Sequence, residues 1–174
     1  MKKALVFLMM TAALLFICLS ASGESAYEEH WIDSQDLSIY GRLYLPEQMG
    51  ETCPMVILSH GFGGTWEDSK LYIPRFLEAG VGCYAFDFPG GAPKNKSGGS
   101  FTEMSVLTEK QALLDVIDAV AELLTTGKIL LAGFSQGGVV TGLAAVERAD
   151  VIAGEILFYP ALCISDDGHK AYGS

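Results

Sequence analysis

The chain has 174 residues, a length that suits one domain better than two. Half of the residues are hydrophobic and only 18% are charged, which excludes an intrinsically disordered chain. The formal net charge is −10 at pH 7, so the chain lacks the basic surface that a nucleic-acid-binding protein needs.

The N-terminus has the pattern of a secretory signal peptide. Lys2 and Lys3 precede an apolar run at residues 4–19, and four small residues (SASG) follow at 20–23. This pattern predicts a cleaved signal peptide at residues 1–23. The domain at 24–174 is then expected to be exported to the periplasm or the cell exterior. An uncleaved membrane anchor is the alternative, although the run is shorter than the roughly 20 apolar residues that usually span a bilayer.

The cysteines indicate no metal site. Cys18 falls in the predicted leader, and Cys83 lies within an apolar run that is typical of a buried strand. Cys53 and Cys163 can form a disulfide only if the fold brings them together. The chain has no CxxC motif and no metal-ligand spacing, so we expect no metal.

Apolar runs alternate with turn signals and helical patterns along the chain. The elements predicted for the first half are an antiparallel strand pair in residues 32–45, a buried strand at 55–59, a helix at 69–79, a buried strand at 81–86 and a Gly-, Pro- and Ser-rich loop at 89–100. The elements predicted for the second half are a helix ending near residue 125, a strand at 129–132, a helix at 136–147 and a strand at 156–159.

The predicted helix of the middle segment carries its own start and stop signals. Thr108 followed by Gln111 fits a capping box, and Gly127 is placed as the stop. Its apolar stripe at helical spacing consists of Leu113, Val116, Ile117, Val120 and Leu124. The alternation of strands and helices predicts an α/β fold with a mainly parallel sheet and helices on both faces.

The strongest chemical signal is GFSQG at residues 133–137, a G-x-S-x-G motif between a predicted strand and a predicted helix. In that context the motif predicts a sharp turn that exposes Ser135 as a nucleophile at a helix N-terminus. The alternative is a serine in an ordinary glycine-rich turn.

A second motif, HGFGG at residues 60–64, directly follows a predicted strand. A nucleophilic serine needs N–H donors for the oxyanion that forms on attack. We expect these donors to be the backbone N–H groups of Phe62 and Gln136. His60 is expected to fix the loop by hydrogen bonding rather than to act as the general base.

With these motifs the chain resembles the α/β-hydrolase superfamily, and within it the bacterial feruloyl (cinnamoyl) esterase-like group and its serine-peptidase-like relatives. The matching segments are HGFGGT (60–65), FDFPGG (86–91), SVLTEK (105–110), GFSQGG (133–138) and FYPA (158–161). The resemblance implies an α/β-hydrolase fold and hydrolysis of small or aryl carboxylic esters through an acyl-enzyme, without a cofactor. It implies that Ser135 is the nucleophile, that Phe62 and Gln136 form the oxyanion hole, and that Asp87 supports a loop.

The acid and base of a catalytic triad are harder to assign. In this fold the chain order is Ser, then Asp or Glu, then His. The one histidine after Ser135 is His169, and Asp166 or Asp167 would be its acid. Because acid and base usually come from separate strand ends, we expect instead that the chain is C-terminally truncated, weakly active or inactive, and prone to aggregate through an exposed sheet edge.

Two other functional readings stay open. A binding domain or pseudo-enzyme could keep the fold without a complete triad, and a serine peptidase or acyltransferase could use the same scaffold. The aromatic residues Phe62, Trp66 and Tyr159 either line an acyl pocket or belong to the core. The oligomeric state is left open by the sequence.

Overall fold

The computed structural model describes residues 25–123 and 125–163. The predicted signal peptide with Cys18 lies outside the described residues, as do Leu124, Asp166, Asp167 and His169.

The described chain forms one mixed six-stranded sheet with three α-helices. The strands are β1 (Glu28–Ser34), β2 (Leu37–Tyr44), β3 (Cys53–Ser59), β4 (Gly82–Phe86), β5 (Thr126–Phe134) and β6 (Ile152–Phe158). The helices are α1 (Ile73–Glu78), α2 (Val106–Ala121) and α3 (Gln136–Glu147), and a 3₁₀ turn spans Trp66–Ser69. In the part of the chain that the structure describes, no helix combines the length and apolar character that crossing a bilayer requires.

The strand order is β1-β2-β4-β3-β5-β6. β1 and β2 form an antiparallel hairpin, and β2 is also antiparallel to β4. The other neighbours, β3 with β4, β3 with β5 and β5 with β6, are parallel. The four central strands are covered on both faces, which explains why β3 and β4 are nearly continuous apolar runs.

Helices cover both faces of the sheet, as the sequence predicted. On one face, α2 packs its apolar stripe of Leu113, Val116, Ile117 and Val120 against the sheet, with Val140 and Ala144 of α3 in the same core. On the other face, Trp66 and Ile73 from the 3₁₀ turn and α1 pack against β3 and β4. The predicted α/β architecture, a mainly parallel sheet with helices on both faces, is confirmed.

The start and stop signals predicted for α2 are wrong by several residues. The N-cap is Ser105, whose side chain accepts a hydrogen bond from Thr108 N–H while the Thr108 hydroxyl accepts one from Ser105 N–H, so Thr108 is the third residue of the helix. The helix ends at Ala121 rather than near residue 125. Gly127 lies inside β5, where a Cβ would come within 3.0 Å of the Cys53 carbonyl oxygen, so it serves a close strand approach rather than a helix stop.

Other boundaries differ because polar or small residues hide the ends of elements. β5 and β6 begin before the predicted strands, at Thr126 and Ile152. Of the single helix predicted at residues 69–79, only the shorter α1 is α-helical, with Pro74 at its second position, and the preceding 3₁₀ turn ends at Ser69. Gly80 ends this segment with a φ of 75°, as expected for a glycine stop.

The fold separates the cysteines. Cys53 and Cys83 are buried in the core, whereas Cys163 is exposed. No disulfide therefore joins Cys53 to Cys163.

Candidate active site

The register of two parallel strands brings the two glycine-rich motifs together. Ser59 at the end of β3 pairs with Gly133 near the end of β5. Because parallel strands end at the same edge of a sheet, the loop at residues 60–64 and the turn at 133–137 leave the sheet side by side. Gly61 lies directly against the Ser135 side chain.

Ser135 occupies a strained turn between β5 and α3. Its backbone has φ 51° and ψ −118°, a conformation that L-residues other than glycine rarely adopt. It is the N-cap of α3, yet its side chain makes no capping hydrogen bond. The Ser135 N–H donates to Phe158 O at 3.1 Å, and its carbonyl accepts from Ala161 N–H at 3.0 Å. These bonds hold the strained backbone in place and leave the hydroxyl uncommitted to the helix.

Two glycines make this turn sterically feasible. A Cβ on Gly133 would lie 2.5 Å from the Gly137 carbonyl oxygen, and a Cβ on Gly137 would lie 2.2 Å from the His60 carbonyl oxygen. No real side chain tolerates such distances, so the G-x-S-x-G spacing reflects the packing of the turn against the loop after β3.

The backbone amides of Phe62 and Gln136 are available as donors. Among the described residues, neither N–H donates to a protein acceptor. The neighbouring amides of the loop are occupied, since Gly63 N–H bonds Gly91 O at 3.1 Å and Gly64 N–H bonds Gly61 O at 3.0 Å. Gln136 is the first residue of α3, where the positive end of the helix dipole favours negative charge.

His60 is buried and uses both ring nitrogens to connect two loops. Nε2 accepts a hydrogen bond from Phe88 N–H at 2.9 Å, so Nδ1 carries the proton and donates to Gly61 O at 2.8 Å. Burial lowers the pKa of His60, so the ring stays neutral. A ring with both nitrogens engaged is not placed to take a proton from Ser135.

Asp87 holds the segment after β4. Its two carboxylate oxygens accept from Trp66 N–H and Lys96 N–H, each at 2.8 Å. Both bonds tie loops that surround the Ser135 turn, and neither reaches Ser135 itself.

The three aromatic residues singled out in the sequence differ in position. Trp66 is buried, with the Arg42 guanidinium 3.6 Å from its ring centroid, so it belongs to the core. Phe62 is 62% exposed, and its ring lies 5.3 Å from that of Phe101, which the sequence reasoning did not single out. Tyr159 is also exposed.

Neither described histidine completes a triad. His30 lies on β1, four strand spacings or roughly 19 Å across the sheet from β5. His60 is engaged as above, and the sequence candidates Asp166, Asp167 and His169 lie outside the described residues. Within the described ranges, no group of three or more His, Cys, Asp or Glu side chains is arranged to hold a metal ion.

The sequence reasoning missed one buried acidic residue beside this site. Glu109, in the first turn of α2, is 1% exposed and accepts a hydrogen bond from the Gln136 side chain at 2.8 Å. Burial raises its pKa to about 7, although the bond from Gln136 opposes the shift. A sequence signal existed, because Glu109 stands four residues before Leu113 and so continues the apolar stripe of α2.

Comparison with known proteins places these features in a family. The model of the alpha/beta hydrolase family matches residues 56–167, more than half of the chain. The protein named hydrolase MhqD in Bacillus subtilis (strain 168) is 28% identical over 125 residues, which cover 67% of this chain and 62% of MhqD.

Solved structures agree with this match. Est1E from Butyrivibrio proteoclasticus, solved with ferulic acid bound, superposes with a TM-score of 0.74 and 29% identity over 81% of this chain and 56% of Est1E. A thermostable carboxyl esterase from Bacillus coagulans shares the fold, with a TM-score of 0.64 and 22% identity over 76% of this chain and 44% of that one. The chain therefore spans less than two thirds of the length of each of these relatives.

Proposed function

The chain belongs to the alpha/beta hydrolase family, and we propose that it is an exported serine esterase that cleaves small or aryl carboxylic esters through an acyl-enzyme on Ser135. The observation that carries this proposal is the backbone of Ser135, which is held at φ 51° between β5 and α3. A strained serine at the N-terminus of a helix, with its hydroxyl unused as a cap, suits a nucleophile better than a structural residue. Export rests on the sequence pattern of residues 1–23 alone.

The proposed reaction begins when Ser135 Oγ bonds to the ester carbonyl carbon. The carbonyl π electrons move to its oxygen, and the Phe62 and Gln136 N–H groups donate to the resulting oxyanion. The reaction requires a general base that takes the Ser135 hydroxyl proton as this bond forms and returns it to the alcohol when collapse of the intermediate breaks the ester C–O bond, and neither described histidine is placed for this role. Water then attacks the acyl-enzyme by the same steps, releasing the acid and restoring Ser135.

The exposed aromatic pair Phe62 and Phe101 supports an aryl or apolar acyl group. The pair adjoins the loop that borders Ser135, and aromatic rings stack favourably on one another. Est1E, which is similar in structure to this chain, was solved with the aromatic acid ferulic acid bound.

The test is covalent labelling of the full chain with a fluorophosphonate probe, followed by mass spectrometry of the labelled peptide. We expect one label on Ser135, its loss in Ser135→Ala, and its retention in the control Ser100→Ala, which changes an exposed loop serine. Equal labelling of Ser135→Ala would assign the nucleophile to another residue, and no labelling of the wild type would favour a binding domain.

Substrate class is tested by comparing kcat/KM for p-nitrophenyl acetate, p-nitrophenyl butyrate, methyl ferulate and a peptide p-nitroanilide. We expect turnover of esters and none of the anilide. Faster cleavage of the anilide than of every ester would indicate a peptidase instead.

A further inference from the structure

A buried carboxyl group joins the N-terminal turns of two helices behind the Ser135 turn. Glu109 belongs to the first turn of α2, and Gln136 is the first residue of α3. The Gln136 Nε2 donates to one carboxyl oxygen of Glu109 at 2.8 Å, while the other oxygen, Oε1, is buried and has no hydrogen-bond partner among the described residues. Both side chains are buried, so this bond is shielded from water.

The cost of burying this group indicates that it serves more than packing. A buried polar atom without a partner destabilises a fold, and an apolar residue at this point of the α2 stripe would avoid that cost. Glu109 instead fixes the side chain of the residue that follows the strained Ser135. Because Glu109 Oε2 accepts the bond from Gln136 Nε2, the NH₂ end of the Gln136 amide faces α2.

We propose that Glu109 is a positioning residue for the oxyanion hole: it anchors the Gln136 side chain and so aims the Gln136 backbone N–H at the oxygen that becomes negative when Ser135 attacks. This inference rests on the proposed function, because the oxyanion is formed only if Ser135 is a nucleophile. Glu109 acts through Gln136 and has no contact with the reacting atoms. Ionisation of Glu109 would also place a negative charge beside the oxyanion hole, which must itself stabilise the negative charge of the oxyanion.

Most charged groups on α2 and on the elements packed against it have partners other than Glu109. Lys110 of α2 pairs with Glu147 of α3, and Asp118 of α2 pairs with Arg148 just after α3. Asp115 of α2 accepts from Ser34 of β1 and from Gln111. The remaining charged residues on β1 and β5 are Glu28, Glu29, His30, Asp33 and Lys128. Desolvation and the bond from Gln136 account for the shift in the Glu109 pKa, with no contribution from any of these groups.

The first test measures the rate constant of fluorophosphonate labelling of the full chain in Glu109→Leu, Glu109→Gln and the exposed control Glu103→Leu. Loss of a whole oxyanion donor costs about 10²–10³ in rate, so misaiming one should slow labelling about tenfold in Glu109→Leu. Glu109→Gln keeps an acceptor oxygen for Gln136 and should restore most of the rate. Equal rates in Glu109→Leu and wild type, with both folded, would overturn the proposal.

The second test does not depend on reactivity. In ¹⁵N-labelled protein, we expect the Gln136 side-chain and backbone amide resonances to titrate together with a midpoint near pH 7, and this transition to vanish in Glu109→Gln. The proposal is overturned if the Gln136 backbone amide neither titrates in wild type nor shifts in any Glu109 variant that folds. Glu109→Gln is sufficient for this comparison if Glu109→Leu fails to fold. If wild type is not labelled on Ser135, the proposed function is refuted. The Gln136 amide resonances then show separately whether Glu109 positions the Gln136 backbone N–H.

Discussion

Gly61 approaches Ser135 so closely that a Cβ added to Gly61 would lie 3.2 Å from the Ser135 Cβ and 3.8 Å from its hydroxyl oxygen. The same Cβ would lie 3.3 Å from the Phe134 carbonyl oxygen. The separations of 3.2 and 3.3 Å are tighter than ordinary van der Waals contacts, so the loop after β3 fits so closely against the turn that an added methyl group requires a neighbour to shift.

Gly61→Ala should therefore impair the site more than the fold. The added methyl pushes the loop or Ser135 aside by a few tenths of an ångström, and we expect fluorophosphonate labelling to slow about tenfold because catalytic geometry is sensitive to such shifts. The free energy of unfolding should fall by only about 1 kcal/mol. The control is Gly142→Ala in α3, where a Cβ meets nothing within 4 Å, and which should label at the wild-type rate. A Gly61→Ala protein that labels as fast as this control would contradict the close fit.

Ser135→Gly should stabilise the protein relative to Ser135→Ala. A φ of 51° strains any residue with a Cβ but not glycine, and relief of that strain should exceed the entropic cost of glycine in the unfolded chain. We expect Ser135→Gly to have a free energy of unfolding about 1 kcal/mol higher than Ser135→Ala, measured by urea denaturation. Both variants should lose the label, and a glycine variant less stable than the alanine variant would show that the turn is not strained.

The stability of the protein should depend on pH through Glu109. Its pKa is about 7 in the folded protein and 4.5 when unperturbed, so between these values the folded state keeps a proton that the unfolded state has lost. The contribution of Glu109 to the free energy of unfolding is complete below pH 4.5, falls as the pH rises from 4.5 to 7, and is lost above pH 7. Glu109→Gln, which cannot ionise, should gain up to about 3 kcal/mol over wild type at pH 8 and nothing at pH 4. Urea denaturation at both pH values measures the difference, and an advantage of equal size at both would exclude ionisation as its cause.

Asp87 and Asp118 should differ strongly in their contribution to stability. Asp87→Ala removes the acceptor of the buried Trp66 N–H and of the partly buried Lys96 N–H, and should cost about 3 kcal/mol. Asp118→Ala removes a pair with Arg148 that joins α2 to the end of α3 near the surface, and should cost about 0.5 kcal/mol. Denaturation midpoints of the two variants provide the comparison, and similar losses would mean that Asp87 is not a structural anchor.

The sequence predicted the order of strands and helices because most elements carry their own periodicity. The apolar run of β3 and the stripe of α2 are local patterns that burial dictates directly. Boundaries were less accurate where local signals compete. The Thr108–Gln111 pattern predicted the cap at Thr108, whereas the structure shows that Ser105 is the cap. Thr126 begins β5 because it pairs with Cys53 of β3, and this pairing is not visible in the local sequence.

The sharp turn at Ser135 could be predicted from the sequence because the G-x-S-x-G spacing is a packing requirement of a few consecutive residues. The contact of Glu109 with Gln136 could not be predicted in the same way. The two residues are 27 positions apart, and their contact exists only because α2 and α3 begin at neighbouring points. The ring contact between Phe62 and Phe101 likewise depends on how the long loop after β4 folds back.

The pairing of Ser59 with Gly133 means that the register of the buried sheet sets the spacing between the loop after β3 and the Ser135 turn. A slip of one residue between β3 and β5 would displace the loop that carries Phe62 by about 3.3 Å relative to Ser135 and reverse the facing of every side chain in the strand. The relative position of the two segments at the site is thus fixed by the packing of apolar side chains in the core. A core substitution that preserves the register of β3 and β5 should leave that position unchanged.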